Sequence, residues 1–160
     1  MAGSAPRAAG HGESFDDVFA GHRARLLRVA YLSTGTYSAA EEIVQEAFLR
    51  LHEHFESVEN PGGFLRIVVV RLSSTWRARQ STARRALGRM TEPPPVEEPR
   101  IDTTWEMLGQ LTPERRVALV LRFYEDLDYR EIAHLQECSI VTARTRVHRG
   151  LADLRKELER

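Results

Sequence analysis

Cysteine is almost absent from this 160-residue sequence, which contains only Cys138. A single cysteine cannot form a disulfide within the chain, so we expect a protein of a reducing compartment such as the cytoplasm. Long apolar runs are missing too, since no stretch approaches the roughly 20 residues that a membrane-spanning helix needs. No basic start followed by an apolar segment marks a secretion signal. We therefore expect no membrane insertion.

Clustered metal ligands and catalytic groups are also missing. The six histidines are scattered, with no pair at ligand spacing beside a carboxylate. No segment combines a nucleophile, a base and an orienting group, which makes a catalytic function the least supported of all. We expect no metal site, no cofactor and no catalytic residue, and hence a protein that is not an enzyme.

Net charge is zero, with 23 basic and 23 acidic residues, but the charges are segregated along the chain. Between Phe64 and Met90 there is no acid among the basic residues Arg66, Arg71, Arg77, Arg79, Arg84, Arg85 and Arg89. Acidic residues then dominate the stretch from Glu92 to Glu106. Such segregation can direct one surface to phosphates and another to a basic protein partner.

Helical periodicity predicts an all-α protein of two small domains joined by a flexible linker. Residues 1–13 are expected to form a flexible tail, residues 14–80 a first module of three or four helices, residues 81–103 the linker, and residues 104–160 a helix-turn-helix module. Within the first module, Ser38 is predicted to cap the second helix. The third helix is predicted from about Phe64 to Gln80, after a loop that contains Pro61.

The second module carries the pattern of a helix-turn-helix. Thr112 before Pro113 predicts one helix start, and Asp128 with Glu131 has the spacing of a capping box for the next. Ser139 is predicted to cap the final helix. Its apolar stripe, predicted to face inward along the whole helix, is Ala143, Val147, Leu151, Leu154 and Leu158. In a helix-turn-helix, two helices are separated by about four residues, and the second helix can enter the major groove of DNA. Such folds can also bind other proteins.

At this level of detail the sequence resembles a known family. Residues 40–51, AEEIVQEAFLRL, are similar to conserved region two of bacterial sigma factors of the extracytoplasmic-function group. Residues 58–66 resemble the loop and following helix of the same region, in a form common among actinobacterial members. Residues 111–125, 129–133 and 145–150 resemble region four. Both regions match in order and spacing over roughly Phe15 to Leu158.

The resemblance implies an alternative sigma factor that binds core RNA polymerase, including the clamp helices of its largest subunit and other core surfaces. The positions that match the polymerase-binding face are Glu41, Glu42, Gln45, Glu46 and Leu49. Those that match contacts to the −10 promoter element are Val58, Asn60, Gly62, Arg66, Arg71, Trp76, Arg77 and Arg79. Those that match contacts to the −35 element are Thr142, Arg144, Thr145, Arg146, His148 and Arg149. Control by an anti-sigma factor is implied as well.

Several positions depart from the pattern of that family. Gln136 and Glu137 stand where relatives usually have leucine and then glycine, and Asp126 stands where glycine is frequent. A bulky residue forced into a left-handed turn costs about 1–2 kcal/mol. Ala143 replaces a larger apolar residue, and Arg71 replaces a frequent asparagine. We expect an altered or less stable second module.

Two other functions remain as hypotheses. A free-standing helix-turn-helix regulator would bind duplex DNA tightly without polymerase, and the acidic face between Glu41 and Leu51 would have no role. A polymerase-binding adaptor that has lost promoter recognition would bind polymerase without initiating transcription at specific promoters.

Overall fold

The computed structural model describes residues 12–87 and 103–160. Over these ranges the chain is helical and contains no strand, which confirms the all-α prediction. The α-helices are α1 (Phe15–Thr34), α2 (Tyr37–His54), α3 (Pro61–Leu87), α4 (Thr103–Leu108), α5 (Pro113–Leu119), α6 (Tyr129–Leu135) and α7 (Ile140–Leu158). A 3₁₀ turn, Phe55–Ser57, follows α2, and a π-helical segment, Val120–Tyr124, continues α5. None of them is long and apolar enough to cross a membrane.

Helices α1, α2 and α3 pack on one another and form the first module. Helix α1 begins with a capping box between Ser14 and Asp17. Gly35 follows its last residue and has a φ of 80°, the left-handed conformation that glycine adopts without strain. The centre of the module contains Leu51 and Leu65, both with no exposed surface. The apolar core that these helices bury continues into the second module, since the buried apolar residues of both modules form one cluster.

The start of α2 differs from the prediction, because Thr36 and not Ser38 caps the helix. Thr36 has an extended backbone, and its side chain accepts a hydrogen bond from the Ala39 N–H. Ser38 already lies in the first turn. Both residues are good caps, so the choice depends on the tight turn at Gly35, which sets where the helical backbone can begin.

The start and end of α3 also differ from the prediction. The helix begins at Pro61, so the proline and the two glycines after it form the first turn and not a loop. A proline fits there because the first residue of a helix needs no N–H partner. Asn60 Oδ1 accepts the Gly63 N–H at 3.0 Å. Helix α3 continues to Leu87, so residues 81–87, expected in the linker, are helical.

The second module contains α4 to α7. Helix α5 starts at Pro113 as predicted, but Thr112 makes no side-chain cap bond. The capping box of Asp128 and Glu131 on α6 is confirmed, as is the Ser139 cap of α7. Four residues, 136–139, separate α6 from α7, which confirms the predicted helix-turn-helix spacing.

The apolar stripe of α7 faces inward over only part of its length. Ala143 and Val147 are buried, whereas Leu151 is 38% exposed and Leu158 is 71% exposed. The prediction of an inward stripe along the whole helix is therefore wrong. The reason is length: α7 has 19 residues, whereas α6 has seven, and α5 has seven followed by five residues of π-helix, so the end of α7 extends beyond its supports.

Candidate nucleic-acid and protein interfaces

One side of α2 forms an open groove against α1. The groove has a volume of about 630 Å³, and it is lined by the predicted residues Glu41, Gln45 and Leu49 together with Phe15, Phe19, Phe48 and other residues. Leu49 is 55% exposed, and Phe19 is 41% exposed. Glu42 is exposed too, while Glu46 accepts a hydrogen bond from Arg50 Nε at 2.8 Å. The groove wall also contains Arg23 and His52 beside Glu41. Its apolar floor suits an amphipathic helix, and the exposed carboxylates of Glu41 and Glu42 favour basic residues on that helix.

The predicted −10 residues Val58, Asn60 and Gly62, around the start of α3, also make contacts within the fold. Val58 packs partly against the core, and Asn60 is exposed. Since Asn60 Oδ1 accepts the Gly63 N–H, the amide nitrogen is the group of Asn60 available to a base edge. A Cβ atom on Gly62 would lie 2.9 Å from Cε1 of His22, so a side chain at this position would have to displace the imidazole ring.

The structure separates the predicted −10 residues of α3 into two groups. Arg66 and Arg71 face acids of the second module: Arg66 Nε lies 3.0 Å from Glu125 Oε2, and Arg71 Nε lies 3.8 Å from Glu137 Oε1. Further along α3, Trp76 is half-buried and packs against the core, and Arg79 is exposed. They therefore do not form one uniform exposed track.

Arg77 lies near Arg116, a residue that no sequence pattern indicated as part of a site. Arg77, Arg85 and Arg116 line a cavity of about 570 Å³ between the modules that has no carboxylate in its wall. Arg116 is 8% exposed, and its guanidinium donates to the Ser33 carbonyl at 3.3 Å. Burial, followed by repulsion from Arg77, lowers the pKa of Arg116 to about 10. Burial also lowers the pKa of Arg77.

The predicted −35 residues lie on the first half of α7. Arg144, His148 and Arg149 are exposed, whereas Thr145 and Arg146 are partly buried. Thr142 is also partly buried, and its hydroxyl lies 2.8 Å from that of Ser139. Buried Ala143 and Val147 hold the opposite side of the helix inward. The exposed side can therefore present guanidinium and imidazole donors to base edges and phosphates.

Tyr129 of α6 supports that surface and was not a predicted site residue. Its ring centroid lies 5.4 Å from Arg144 Cζ, and the ring of His148 lies 6.5 Å away. Such a cation–π contact restrains an arginine without neutralising it. The Asp128 cap predicts that Tyr129 begins a helix. No local sequence feature, however, indicates that the Tyr129 side chain contacts α7.

Glu125 is the third functional candidate that the sequence did not reveal, after Arg116 and Tyr129. Its side chain is 3% exposed, and its two carboxylate oxygens lie 2.7 Å from Arg25 Nε and 3.0 Å from Arg66 Nε. In the sequence Glu125 looks only like a residue that ends a helical pattern. Its partners lie 100 and 59 positions away, so no local motif could have indicated them.

Cys138 lies in the turn between α6 and α7. It is a free thiol, partly buried, and it packs against the apolar core. A small apolar role is consistent with that position. Within residues 12–87 and 103–160, no group of three or more His, Cys, Asp or Glu side chains could hold a metal ion.

Comparisons with known proteins agree with the order of the two modules. Residues 18–83 match the family model for sigma-70 region 2, and residues 102–154 match that for sigma-70 region 4. The extracytoplasmic-function sigma factor SigE of Mycolicibacterium smegmatis is 32% identical over 91% of this chain, and the chain spans 62% of the length of SigE. SigW of Bacillus subtilis is 24% identical, with 93% of this chain and 91% of SigW aligned.

Among solved structures, the chain resembles the sigma factor RpoE from Bartonella quintana, crystallised with the anti-sigma factor NepR. The TM-score is 0.72 at 21% identity, and the match covers 91% of this chain and 96% of that one. At this identity the likeness establishes the fold.

Proposed function

The chain belongs to the extracytoplasmic-function group of the sigma-70 family, and we propose that it directs core RNA polymerase to a small set of promoters. The observation that carries this proposal is the presence, in one chain and in family order, of two features: an apolar groove beside exposed carboxylates of α2, and a helix-turn-helix with exposed arginines. In this role the chain catalyses nothing itself, because the polymerase supplies the chemistry. Its place of action is the cytoplasm.

Each module has a separate contact in this proposal. The α2 face around Glu42, Gln45 and Leu49 docks on the clamp helices of the polymerase, where exposed carboxylates meet basic residues and Leu49 meets apolar ones. Region two contacts the −10 element, and α7 enters the major groove at the −35 element. Because both modules belong to one chain, each weak contact raises the effective concentration for the other.

We also propose that an anti-sigma factor binds this chain. The support is the relative RpoE, whose structure was solved with the anti-sigma factor NepR. The exposed α2 groove, with Phe19 and Leu49 at its surface, offers an apolar area that such a partner could cover. A partner seated there would block polymerase docking.

In vitro transcription tests the proposed function. The purified chain and core RNA polymerase from Mycolicibacterium smegmatis would receive a pool of genomic promoter fragments. We expect discrete new transcripts that disappear with the Glu42→Arg, Gln45→Ala double variant. Arg144→Ala should reduce or redistribute them, whereas Arg155→Ala, an exposed arginine in the last turn of the same helix, should change them little.

The outcomes separate the competing functions. Polymerase binding without transcripts would support an adaptor that has lost promoter recognition. Tight duplex binding that needs no polymerase would support a free-standing regulator. No binding to polymerase at all would contradict the sigma-factor assignment.

A further inference from the structure

An exposed valine lies in the first turn of α7. Val141 is 71% exposed, more than Ile140 before it, which is 43% exposed. Single apolar side chains are common on protein surfaces and need no explanation by themselves. Val141 differs from such residues in its place, because α7 is the helix that is proposed to enter the major groove.

The helical period places Val141 on the outward side of α7. The buried residues of this helix are Ala143, Val147 and Gly150. With about 100° between successive residues, Val141 lies almost opposite to the centre of that buried side. Arg144 and His148 share its face of the helix, and both are exposed. The outward face therefore combines one apolar group with two hydrogen-bonding groups.

The structure around the first turn of α7 fixes the position of this valine. Ser139 Oγ accepts the Thr142 N–H at 3.1 Å, and the two hydroxyl oxygens lie 2.8 Å apart. The turn before the helix is attached to α5, since Gln136 Nε2 donates to the Glu114 carbonyl at 3.0 Å. A β-branched side chain in a helix has one strongly preferred rotamer, so Val141 loses little conformational freedom when a partner covers it. Its two methyl groups are therefore preorganised for contact.

The polar side chains beside Val141 recognise only some features of a base pair. Arg144, whose Cζ lies 5.4 Å from the Tyr129 ring centroid, presents hydrogen-bond donors that suit the acceptors of guanine. The C5-methyl group of thymine is also exposed in the major groove, and it takes part in no hydrogen bond. An exposed valine is complementary to this group, because their contact removes apolar surface of both from water.

We propose that Val141 contacts the C5-methyl group of a thymine in the −35 element and so selects thymine at one base pair that α7 reads. The inference rests on the proposed function for the identity of the element, whereas the contact itself requires only that α7 enters the major groove of a duplex. In this role Val141 is a specificity-determining residue. It supplies an apolar discrimination that the neighbouring arginine cannot supply.

Replacement of thymine by deoxyuridine tests the contact, because the two bases differ only by this methyl group. The full chain, alone and bound to core RNA polymerase from Mycolicibacterium smegmatis, would select duplexes from a pool of random sequence. Deoxyuridine would then replace each thymine of the selected site in turn, and fluorescence anisotropy would measure binding. We expect a thymine at which this replacement weakens binding of the unaltered chain about fourfold, the contribution of one methyl group buried from water.

Two variants of α7 assign the methyl preference to one side chain. Val141→Ser removes both valine methyl groups at an exposed position, so it should leave the fold intact and bind the thymine and deoxyuridine duplexes equally. Leu158→Ser is the matched control, because Leu158 lies at the other end of the same helix and is also 71% exposed. It should keep the preference for thymine. A merely structural effect of Val141→Ser would weaken binding of both duplexes by the same factor and leave their ratio unchanged.

The outcomes distinguish failure of this inference from failure of the proposed function. Equal binding of both duplexes by the unaltered chain at every position would overturn the contact, even if promoter-specific transcripts form. So would a ratio that Val141→Ser leaves unchanged, or one that Leu158→Ser abolishes equally. A ratio lost only in Val141→Ser would support the contact even if no transcript forms, in which case only the sigma-factor role would fail. Selection of no duplex, with or without polymerase, would overturn the contact together with the placement of α7 in the major groove.

Discussion

The turn between α6 and α7 places two neighbouring residues in opposite backbone states, and we predict opposite effects of the same substitution. Glu137 has a φ of 52°, the left-handed region in which a side chain is strained. Gln136 has a φ of −91°, an ordinary value, and its Nε2 donates to the Glu114 carbonyl at 3.0 Å. Replacing each with glycine therefore tests the strain directly.

The magnitudes follow from these conformations. At Glu137, glycine removes a strain of about 1–2 kcal/mol and costs about 0.5–1 kcal/mol in extra unfolded-state entropy. The exposed contact with Arg71 adds little. Glu137→Gly should stabilise the fold by about 0.5 kcal/mol. Gln136→Gly has the same entropy cost and also loses a hydrogen bond worth about 1 kcal/mol, so it should destabilise the fold by about 1.5–2 kcal/mol.

Urea unfolding of the full chain, followed by far-ultraviolet circular dichroism, measures both free energies of unfolding. The unaltered chain is the reference. A Glu137→Gly variant that loses as much stability as Gln136→Gly would refute the assignment of strain to residue 137. Equal transition slopes for the three proteins would show that the comparison concerns the folded state.

Three further predictions concern the framework. Leu51→Ala, at a fully buried position, should cost about 2–5 kcal/mol in urea unfolding, whereas Leu49→Ala, at a residue that is 55% exposed, should stay within about 0.5 kcal/mol; equal losses would contradict the packing. Asp128→Ala should cost about 0.5–2 kcal/mol through loss of the α6 capping box, and no loss would show that α6 does not need its cap. Hydrogen bonds from Ser14 lower the pKa of Asp17, so its contribution is present above the unfolded pKa of 3.8 and disappears as pH falls through the lower folded value. Ser14→Ala should return that pKa toward 3.8 in an NMR titration, and an unchanged pKa would assign the shift to another group.

Local sequence signals predicted the start of a helix best where only one nearby residue could act as the N-cap. Asp128 with Glu131 and Ser139 each marked a helix start correctly, because a side-chain acceptor stands directly before an apolar pattern. The start of α2 was misplaced because Thr36 and Ser38 are equally good caps. Pro61 was predicted to lie in a loop, but it begins α3. Proline interrupts a helix when it lies in the interior, yet it is favourable at the first position.

The candidate sites could be predicted where they lie on one helix and could not where they join residues that are distant in the sequence. The α2 groove and the exposed side of α7 could be predicted, because residues spaced three and four apart share one face of a helix. The contact between Arg25 and Glu125 could not be predicted, since the two residues are 100 positions apart and helical periodicity does not show that they meet. Arg116 was missed for a related reason: burial of an arginine depends on packing against Ser33 of another helix, which helical periodicity does not encode.

Backbone strain and intermodule charge coincide in the second module. The non-glycine residues with positive φ in the described ranges are Asp126 and Glu137. Asp126 directly follows Glu125, which pairs with Arg25 and Arg66 of the first module, and Glu137 itself faces Arg71. Strained residues persist where the surrounding structure holds them, and they often mark functional sites. At residue 137 glycine would relax the turn but would remove the carboxylate that faces Arg71. Because that exposed pair contributes little, Glu137→Gly should stabilise the helix-turn-helix while leaving the attachment of the two modules nearly unchanged.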